Sequence, residues 1–180
     1  MNTETDIATA TEPAETVEIP MRVLKVATTA SLSNRSTLGY AIGCDDAGAI
    51  YFSLRSNTAA GMFSSRWIAF VDLADALVHA DRITSSTLLP LYANTSRNNA
   101  GFILAVLLGE GLVCPSERHY LRQDFKPFLK HINALIAAGV DLGDADLALQ
   151  ADAVAEVADV PEVDVVEVTA VKRGRPAKRA

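Results

Sequence analysis

The residues best suited to chemistry lie in the last nine positions, Lys172–Ala180. The centre of this segment is Arg173-Gly174-Arg175-Pro176, and its flanks carry three further cations, Lys172, Lys178 and Arg179. The minor groove of A·T-rich DNA is narrow and strongly negative, so it favours an extended strand that inserts arginines. Gly174 has no side chain and lets the backbone lie on the groove floor. Pro176 biases Arg175 towards an extended conformation, so the order of residues predicts a minor-groove ligand.

This segment resembles an AT-hook, whose core is Arg-Gly-Arg-Pro between basic flanks. The resemblance covers about ten of the 180 residues. It implies that Arg173, Gly174, Arg175 and Pro176 contact A·T-rich DNA, with the other cations on phosphates. The alternative is a solvated basic tail, because runs of like charge are often simple interaction tails. A plain basic tail has no need of Gly and Pro in this order, which favours the AT-hook.

Charge is distributed unevenly along the chain. The net charge is −6 and the pI about 5.0, which argues against a uniformly basic nucleic-acid binder. Residues 1–20 carry five acids and no Lys or Arg, and residues 141–171 carry nine acids and no cation. Between them, residues 21–140 carry eleven cations and eight acids. We therefore expect a disordered acidic arm (1–20), a globular core (21–140), an acidic disordered linker (141–171) and the basic tail (172–180).

Location and cofactors follow from what the sequence lacks. The acidic N-terminus has no apolar run typical of a signal peptide, and the longest apolar run, Phe102 to Leu108, is too short to span a membrane. Cys44 and Cys114 form no Cys-x-x-Cys pair, as expected for free thiols of a cytosolic protein. These two cysteines, together with His79 and His119, do not have the sequence spacing that is typical of a zinc site. We expect a cytoplasmic, nucleoid-associated protein with no metal and no cofactor.

The sequence predicts antiparallel strands in the first half of the core. Alternation of apolar and polar residues predicts strands over Met21–Thr29, Leu38–Cys44 and Ile50–Arg55, and a further apolar strand over Trp67–Val71. The loop Asp45-Asp46-Ala47-Gly48 joins the second and third strands as a hairpin.

The sequence predicts helices in the second half of the core, so the expected fold class is α+β. Capping residues and helical spacing predict helices over Leu73–His79, Thr87–Tyr92, Arg97–Leu108 and Phe125–Ala138. Short strands are predicted at Leu112–Cys114 and His119–Arg122.

The order helix, turn, helix and two-stranded ribbon from residue 86 to 122 resembles a winged helix-turn-helix. Residues 93–96 would be the turn and Arg97–Leu108 the recognition helix. In such motifs the N-terminal residues of the second helix meet base edges, and Arg and Asn suit guanine and adenine. The resemblance implies base contacts from Arg97, Asn98 and Asn99, and phosphate contacts from Arg118, His119 and Arg122. In an ordinary α+β domain the same Arg97 and Asn99 would only cap a helix.

No catalytic motif stands out, so we do not expect an enzyme. The sequence indicates a DNA-binding accessory or regulatory protein whose core carries the main contact or an interface between copies of the chain. The expected partners are DNA, preferably A·T-rich, and a homo-oligomer, with no membrane. The alternatives are a protein-interaction module with an incidental basic tail, and a small enzyme whose catalytic residues lie far apart in sequence.

Overall fold

A computed structural model describes residues 20–59 and 61–158, with side chains up to residue 151. The acidic arm, apart from Pro20, and the AT-hook-like residues, Lys172 to Arg179, lie outside the described residues. The α+β prediction is confirmed: an antiparallel sheet comes first and helices follow.

Four strands form the N-terminal sheet in the order β1-β2-β3-β4. They are β1 (Arg22–Ala30), β2 (Thr37–Cys44), β3 (Ile50–Asn57) and β4 (Ile68–Ala69). Each predicted alternating run is confirmed as a strand, because alternation places every second side chain on the same face. The central strand β2 is buried along nearly its whole length, so both faces of the sheet are covered.

Helices cover one face of the sheet. They are α1 (Phe70–Val78), α2 (Ser85–Leu88) with a 3-10 turn (Leu89–Tyr92), α3 (Asn98–Gly109) and α4 (Lys126–Ala137). The core between them and the sheet includes a group of phenylalanines. Phe52 stacks on Phe128 with ring centroids 5.6 Å apart, and Phe70 lies 5.2 Å from Phe128. This group joins β3 to the first and fourth helices.

Two element boundaries differ from the sequence prediction. The strand predicted over Trp67–Val71 is only two residues long, because α1 begins at Phe70, whose side chain is buried on the same helical face as those of Leu73 and Leu77. The helix predicted over Thr87–Tyr92 is split. Pro90 has no backbone N–H and cannot continue an α-helix, so a 3-10 turn follows α2.

A two-stranded hairpin follows α3. It consists of β5 (Val113–Ser116) and β6 (His119–Arg122), which confirms the predicted ribbon. Ile83, in the connection between α1 and α2, pairs with Tyr120 of the hairpin through two backbone hydrogen bonds of 3.1 and 2.8 Å. The hairpin is thereby tied to the start of α2.

The second face of the sheet is covered by a helix that the sequence analysis did not predict. We expected an acidic disordered linker over residues 141–171, but Ala145–Ala158 forms α5. Asp144 caps it, accepting hydrogen bonds of 2.9 Å from the backbone N–H groups of Asp146 and Leu147. Ala145 packs on Val23 and Ala41, and both Ala145 and Leu149 are buried. Of the acidic residues that suggested a linker, the three whose side chains are described, Asp141, Asp144 and Asp146, are exposed.

None of the helices in the described part of the chain has the length and hydrophobicity needed to cross a bilayer.

Candidate nucleic-acid interface

The helix predicted to read DNA is almost fully buried. Within α3, Ala100, Ile103, Leu104 and the run Ala105–Leu107 are at most 1% exposed. The helix is apolar on all sides because it lies between the sheet and the other helices. A helix in this position cannot enter a major groove along its length. The prediction of a recognition helix over Arg97–Leu108 therefore has to be reduced to its first residues.

Asn99 does not point to solvent, contrary to the prediction that it contacts base edges. It is 0% exposed, and its Oδ1 accepts a 3.0 Å hydrogen bond from the Ser64 backbone N–H. Its Nδ2 donates to Thr95 Oγ1, also at 3.0 Å. A buried amide is stable only when it is bonded in this way. Asn99 therefore holds the loop before β4 against the turn before α3.

Three segments meet around the N-terminus of α3. Leu32 and Ser33, from the β1–β2 turn, line a shallow cleft together with Arg97 and Asn98. On the other side of the helix start, residues 61–65 line a second cleft together with Thr95, Ser96 and Asn99. The Thr58 backbone N–H bonds to the Thr37 carbonyl at 3.0 Å and keeps the loop beside the turn. We call residues 31–36, 57–59, 61–66 and 93–98 together the acid-free end.

The acid-free end carries positive charge and no carboxylate of its own. It contains three arginines, Arg35, Arg66 and Arg97, and none of its segments contains Asp or Glu. All three arginines are exposed, and none forms an ion pair with another described residue. Arg66 donates one bond to the Leu91 carbonyl, which leaves its other N–H groups available. The N-terminus of the twelve-residue α3 adds the positive end of a helix dipole.

Of the predicted core contacts, Arg97 and Asn98 lie on this end and are exposed. Sequence reasoning missed Arg35 and Arg66, because neither lies in a recognisable motif. The signal that was available is the absence of acids: residues 47–71 and 82–109 contain none, although the chain has 22.

The predicted wing residues lie outside the acid-free end, on the β5–β6 hairpin. Arg118 and Arg122 are exposed and His119 is partly exposed on the β5–β6 hairpin, but Glu117 and Asp124 are exposed close by in the chain. Arg122 also stacks over the Phe125 ring, 5.9 Å from its centroid. Ile83 bonds to the hairpin and Ser85 lines the cleft beside Arg97. Ser85 follows Ile83 by two residues, and two residues span at most about 7 Å. The hairpin and the acid-free end therefore both lie beside the start of α2.

The direction of α5 relates the C-terminal tail to this end of the molecule. Ala145 packs on Ala41 of β2, whereas Leu149 lies against Gly39 and so is closer to the start of that strand. The helix thus runs towards the β1–β2 turn. It continues for nine residues after Leu149 to Ala158, about 13 Å at 1.5 Å per residue. The chain therefore leaves α5 on the side of the acid-free end.

No set of three or more His, Cys, Asp or Glu side chains forms a metal-binding group within the described residues. Cys44 and Cys114 are both free thiols. Comparison of the chain with protein-family models, with curated proteins and with solved structures gives no match.

Proposed function

We propose that this protein binds DNA as an accessory or regulatory factor, with the acid-free end on the phosphate backbone. The observation that supports this proposal is the separation of charge. Three exposed arginines and a helix N-terminus share one end with no carboxylate of its own, in a chain of net charge −6. Arginine and helix N-termini are the groups that bind phosphate best. Because all three arginines are exposed on this end, they can bind phosphates of the same duplex.

The C-terminal tail provides the second contact in this proposal. Thirteen residues separate Ala158 from Lys172, and thirteen residues span at most about 45 Å. Since α5 ends on the side of the acid-free end, the AT-hook-like segment can reach the minor groove of the same duplex. Linking two weak contacts raises the apparent affinity through effective concentration. The expected preference for A·T-rich DNA comes from the tail, and both the tail and the acid-free end contribute phosphate contacts.

The proposal includes a winged-helix reading of residues 70–122. Its support is the order of α1, the Ile83 bridge, α2, α3 and the hairpin, together with the pairing of Ile83 with Tyr120. Because α3 is buried, only Arg97 and Asn98 are free to approach base edges. Any sequence readout by the core is then limited to one or two base pairs, and phosphate contacts dominate.

Fluorescence anisotropy of a labelled duplex across a salt series tests the core contact. The variant Arg35→Ala/Arg97→Ala removes two exposed cations whose side chains make no hydrogen bond or ion pair to other described residues. We expect weaker binding at every salt concentration. The slope of log K against log salt should be smaller by about two, because each lost phosphate contact lowers it by about 0.9.

The matched control is Arg118→Ala/Arg122→Ala, which removes the same charge from the hairpin. We expect this control to keep most of the affinity and slope. Equal losses in both variants would show that binding follows net charge rather than the acid-free end. Larger losses in the control would assign the contact to the hairpin. If the full chain binds no duplex at low salt, the DNA proposal is wrong, and the protein-interaction alternative takes its place.

A further inference from the structure

The acid-free end carries an exposed apolar pair as well as its arginines. In the loop before β4, Met62 is 80% exposed and Phe63 is 36% exposed. Large apolar side chains cost free energy when they stand in water. Met62 is the most exposed of the large hydrophobic residues described. It lies in the same loop as Arg66 and lines a cleft with Ser96, the neighbour of Arg97 in the chain, which suggests contact with a partner that also binds cations.

The loop that presents Met62 is held in place on both sides. On the near side, the Asn57 side chain accepts a 3.1 Å bond from the Ala59 backbone N–H. On the far side, the Ser65 carbonyl accepts a 2.6 Å bond from Ser53 Oγ, a hydroxyl buried in β3. The buried Asn99 then fixes the Ser64 backbone N–H. These bonds hold Met62 outward instead of letting the loop fold it onto the core.

We propose that Met62, supported by Phe63, is a wedge that enters between base pairs of the bound DNA. This inference rests on the proposed function. Proteins that approach the minor groove often insert one apolar side chain into a base step, which unstacks the step and kinks the duplex. Flanking cations hold the two phosphate backbones on either side of such a wedge. Arg66, four residues after Met62 in the same loop, and Arg97, which follows Ser96 of the cleft that Met62 lines, provide these cations.

The DNA sequences into which a wedge inserts most easily are also rich in A·T pairs, which the tail is expected to prefer. Pyrimidine–purine steps such as TA unstack most easily, and they occur in A·T-rich DNA. A Met side chain is unbranched and polarizable, so it adapts to an irregular gap between bases. A bent duplex would bring more backbone against Arg97 and the α3 N-terminus. The wedge therefore links the preference of the tail for A·T sequence to the shape of the duplex on the core.

Unstacking can be measured directly with 2-aminopurine placed at a central TA step of an A·T-rich duplex. We expect the full-length protein to raise the 2-aminopurine fluorescence on binding, and Met62→Ala to bind several-fold more weakly with most of that rise lost. Met62→Leu should restore the rise, because an apolar side chain of similar length remains. The matched control is Leu147→Ala, which removes an apolar side chain that is 67% exposed on α5; it should behave as the unmodified protein.

Anisotropy recorded on the same samples separates the two proposals. If the full-length protein binds but produces no rise in fluorescence, or if Met62→Ala produces the same rise, the wedge is wrong while DNA binding stands. If Met62→Ala binds and unstacks DNA normally but changes the molecular mass in light scattering, the apolar pair is a contact between proteins, and the wedge is again wrong. If no duplex binds at low salt, both proposals fall.

Discussion

Glu110 connects the end of α3 to two strands through one carboxylate. Its Oε1 lies 2.6 Å from Lys25 Nζ and accepts a hydrogen bond from the Tyr40 hydroxyl. The Glu110 side chain is only 6% exposed. Removing one member of such a buried group leaves the others without partners, which costs more than the bonds themselves contribute. These three residues fix α3 against the sheet and so position its N-terminus.

Alkaline pH should destabilise the protein through Tyr40. Burial, followed by the hydrogen bond to Glu110 and the negative charge of that carboxylate, raises the pKa of Tyr40 far above its ordinary value. Burial also raises the pKa of Tyr92, although the nearby Arg66 opposes this effect. Unfolded tyrosine ionises near pH 10, whereas the folded residues keep their protons. The free energy of unfolding is therefore constant with respect to these groups below pH 10 and falls above it.

Urea unfolding at several pH values between 8 and 11 measures this effect. Above pH 10, each tyrosine that stays protonated in the folded state should lower the free energy of unfolding by up to about 1.4 kcal/mol per pH unit. Tyr40→Phe should lower the free energy of unfolding by about 2 kcal/mol at pH 8, because a hydrogen bond to a buried carboxylate is lost, and should show a shallower fall above pH 10. A fall as steep as that of the unmodified protein would mean that Tyr40 does not stay protonated in the folded state.

Asn99 shows why single residues of a site are hard to predict from sequence. Its neighbour Asn98 is exposed, and the two are identical in type and adjacent in sequence. Which of them faces solvent depends on the rotation of α3, and that rotation is set by packing on both sides. Helical periodicity gives no orientation here, because nearly every position of α3 is apolar. Residue type identified Arg97 and Asn98 as candidates but could not exclude Asn99.

At the scale of elements, α5 depends on glycine in the strand beneath it. A Cβ placed on Gly39 would clash with Leu149 Cδ2 and with Ser56 Oγ. Gly39→Ala should therefore displace Leu149 and loosen α5, at a cost of about 1–3 kcal/mol. We expect faster hydrogen exchange in residues 145–151 and a lower urea midpoint. Gly101→Ala is the control: its Cβ meets no atom within 4 Å, and it should stabilise α3 by up to about 1 kcal/mol.

A double-mutant cycle with Leu149→Ala completes this test. Once Leu149 is shortened, only the Ser56 hydroxyl still crowds alanine at position 39, so the two changes should cost less together than the sum of the single changes. Strictly additive losses, with unchanged exchange in α5, would show that Leu149 does not pack on Gly39.

The strands and the helices α1, α3 and α4 could be predicted because each has a clear apolar period or cap. The α5 helix was missed because its acid content resembles that of a solvated linker. Its Asp144 cap and its Ala and Leu content were present in the sequence. What decides the outcome is a non-local partner: Gly39 and Ala41 on β2 give the helix a close surface to pack on. A pattern within residues 141–158 cannot report that surface.

At the scale of the whole molecule, the cations of the proposed DNA interface form two groups. The acid-free end came from three segments that are distant in sequence, so no local motif could have predicted it. The tail, in contrast, is predicted from a local motif. In our proposal both parts contribute phosphate contacts, and the tail alone supplies the preference for base composition. The two contributions can be separated, since both depend on salt but only that of the tail depends on A·T content.

Removal of the tail should abolish the preference for A·T-rich DNA and leave binding by the core. The measurement is binding to A·T-rich and G·C-rich duplexes across a salt series. It compares three proteins: the full chain, a chain that ends at Val171, and the variant Arg173→Ala/Arg175→Ala. The shortened chain loses five cations, so its salt slope should decrease by up to about four.

Lys178→Ala/Arg179→Ala is the matched control. It removes as much charge as the arginine pair, and it should lower the slope by about two while it keeps the preference for A·T, because the Arg-Gly-Arg-Pro core remains. If this control loses the preference as completely as Arg173→Ala/Arg175→Ala does, the tail acts by charge alone and the minor-groove reading is wrong.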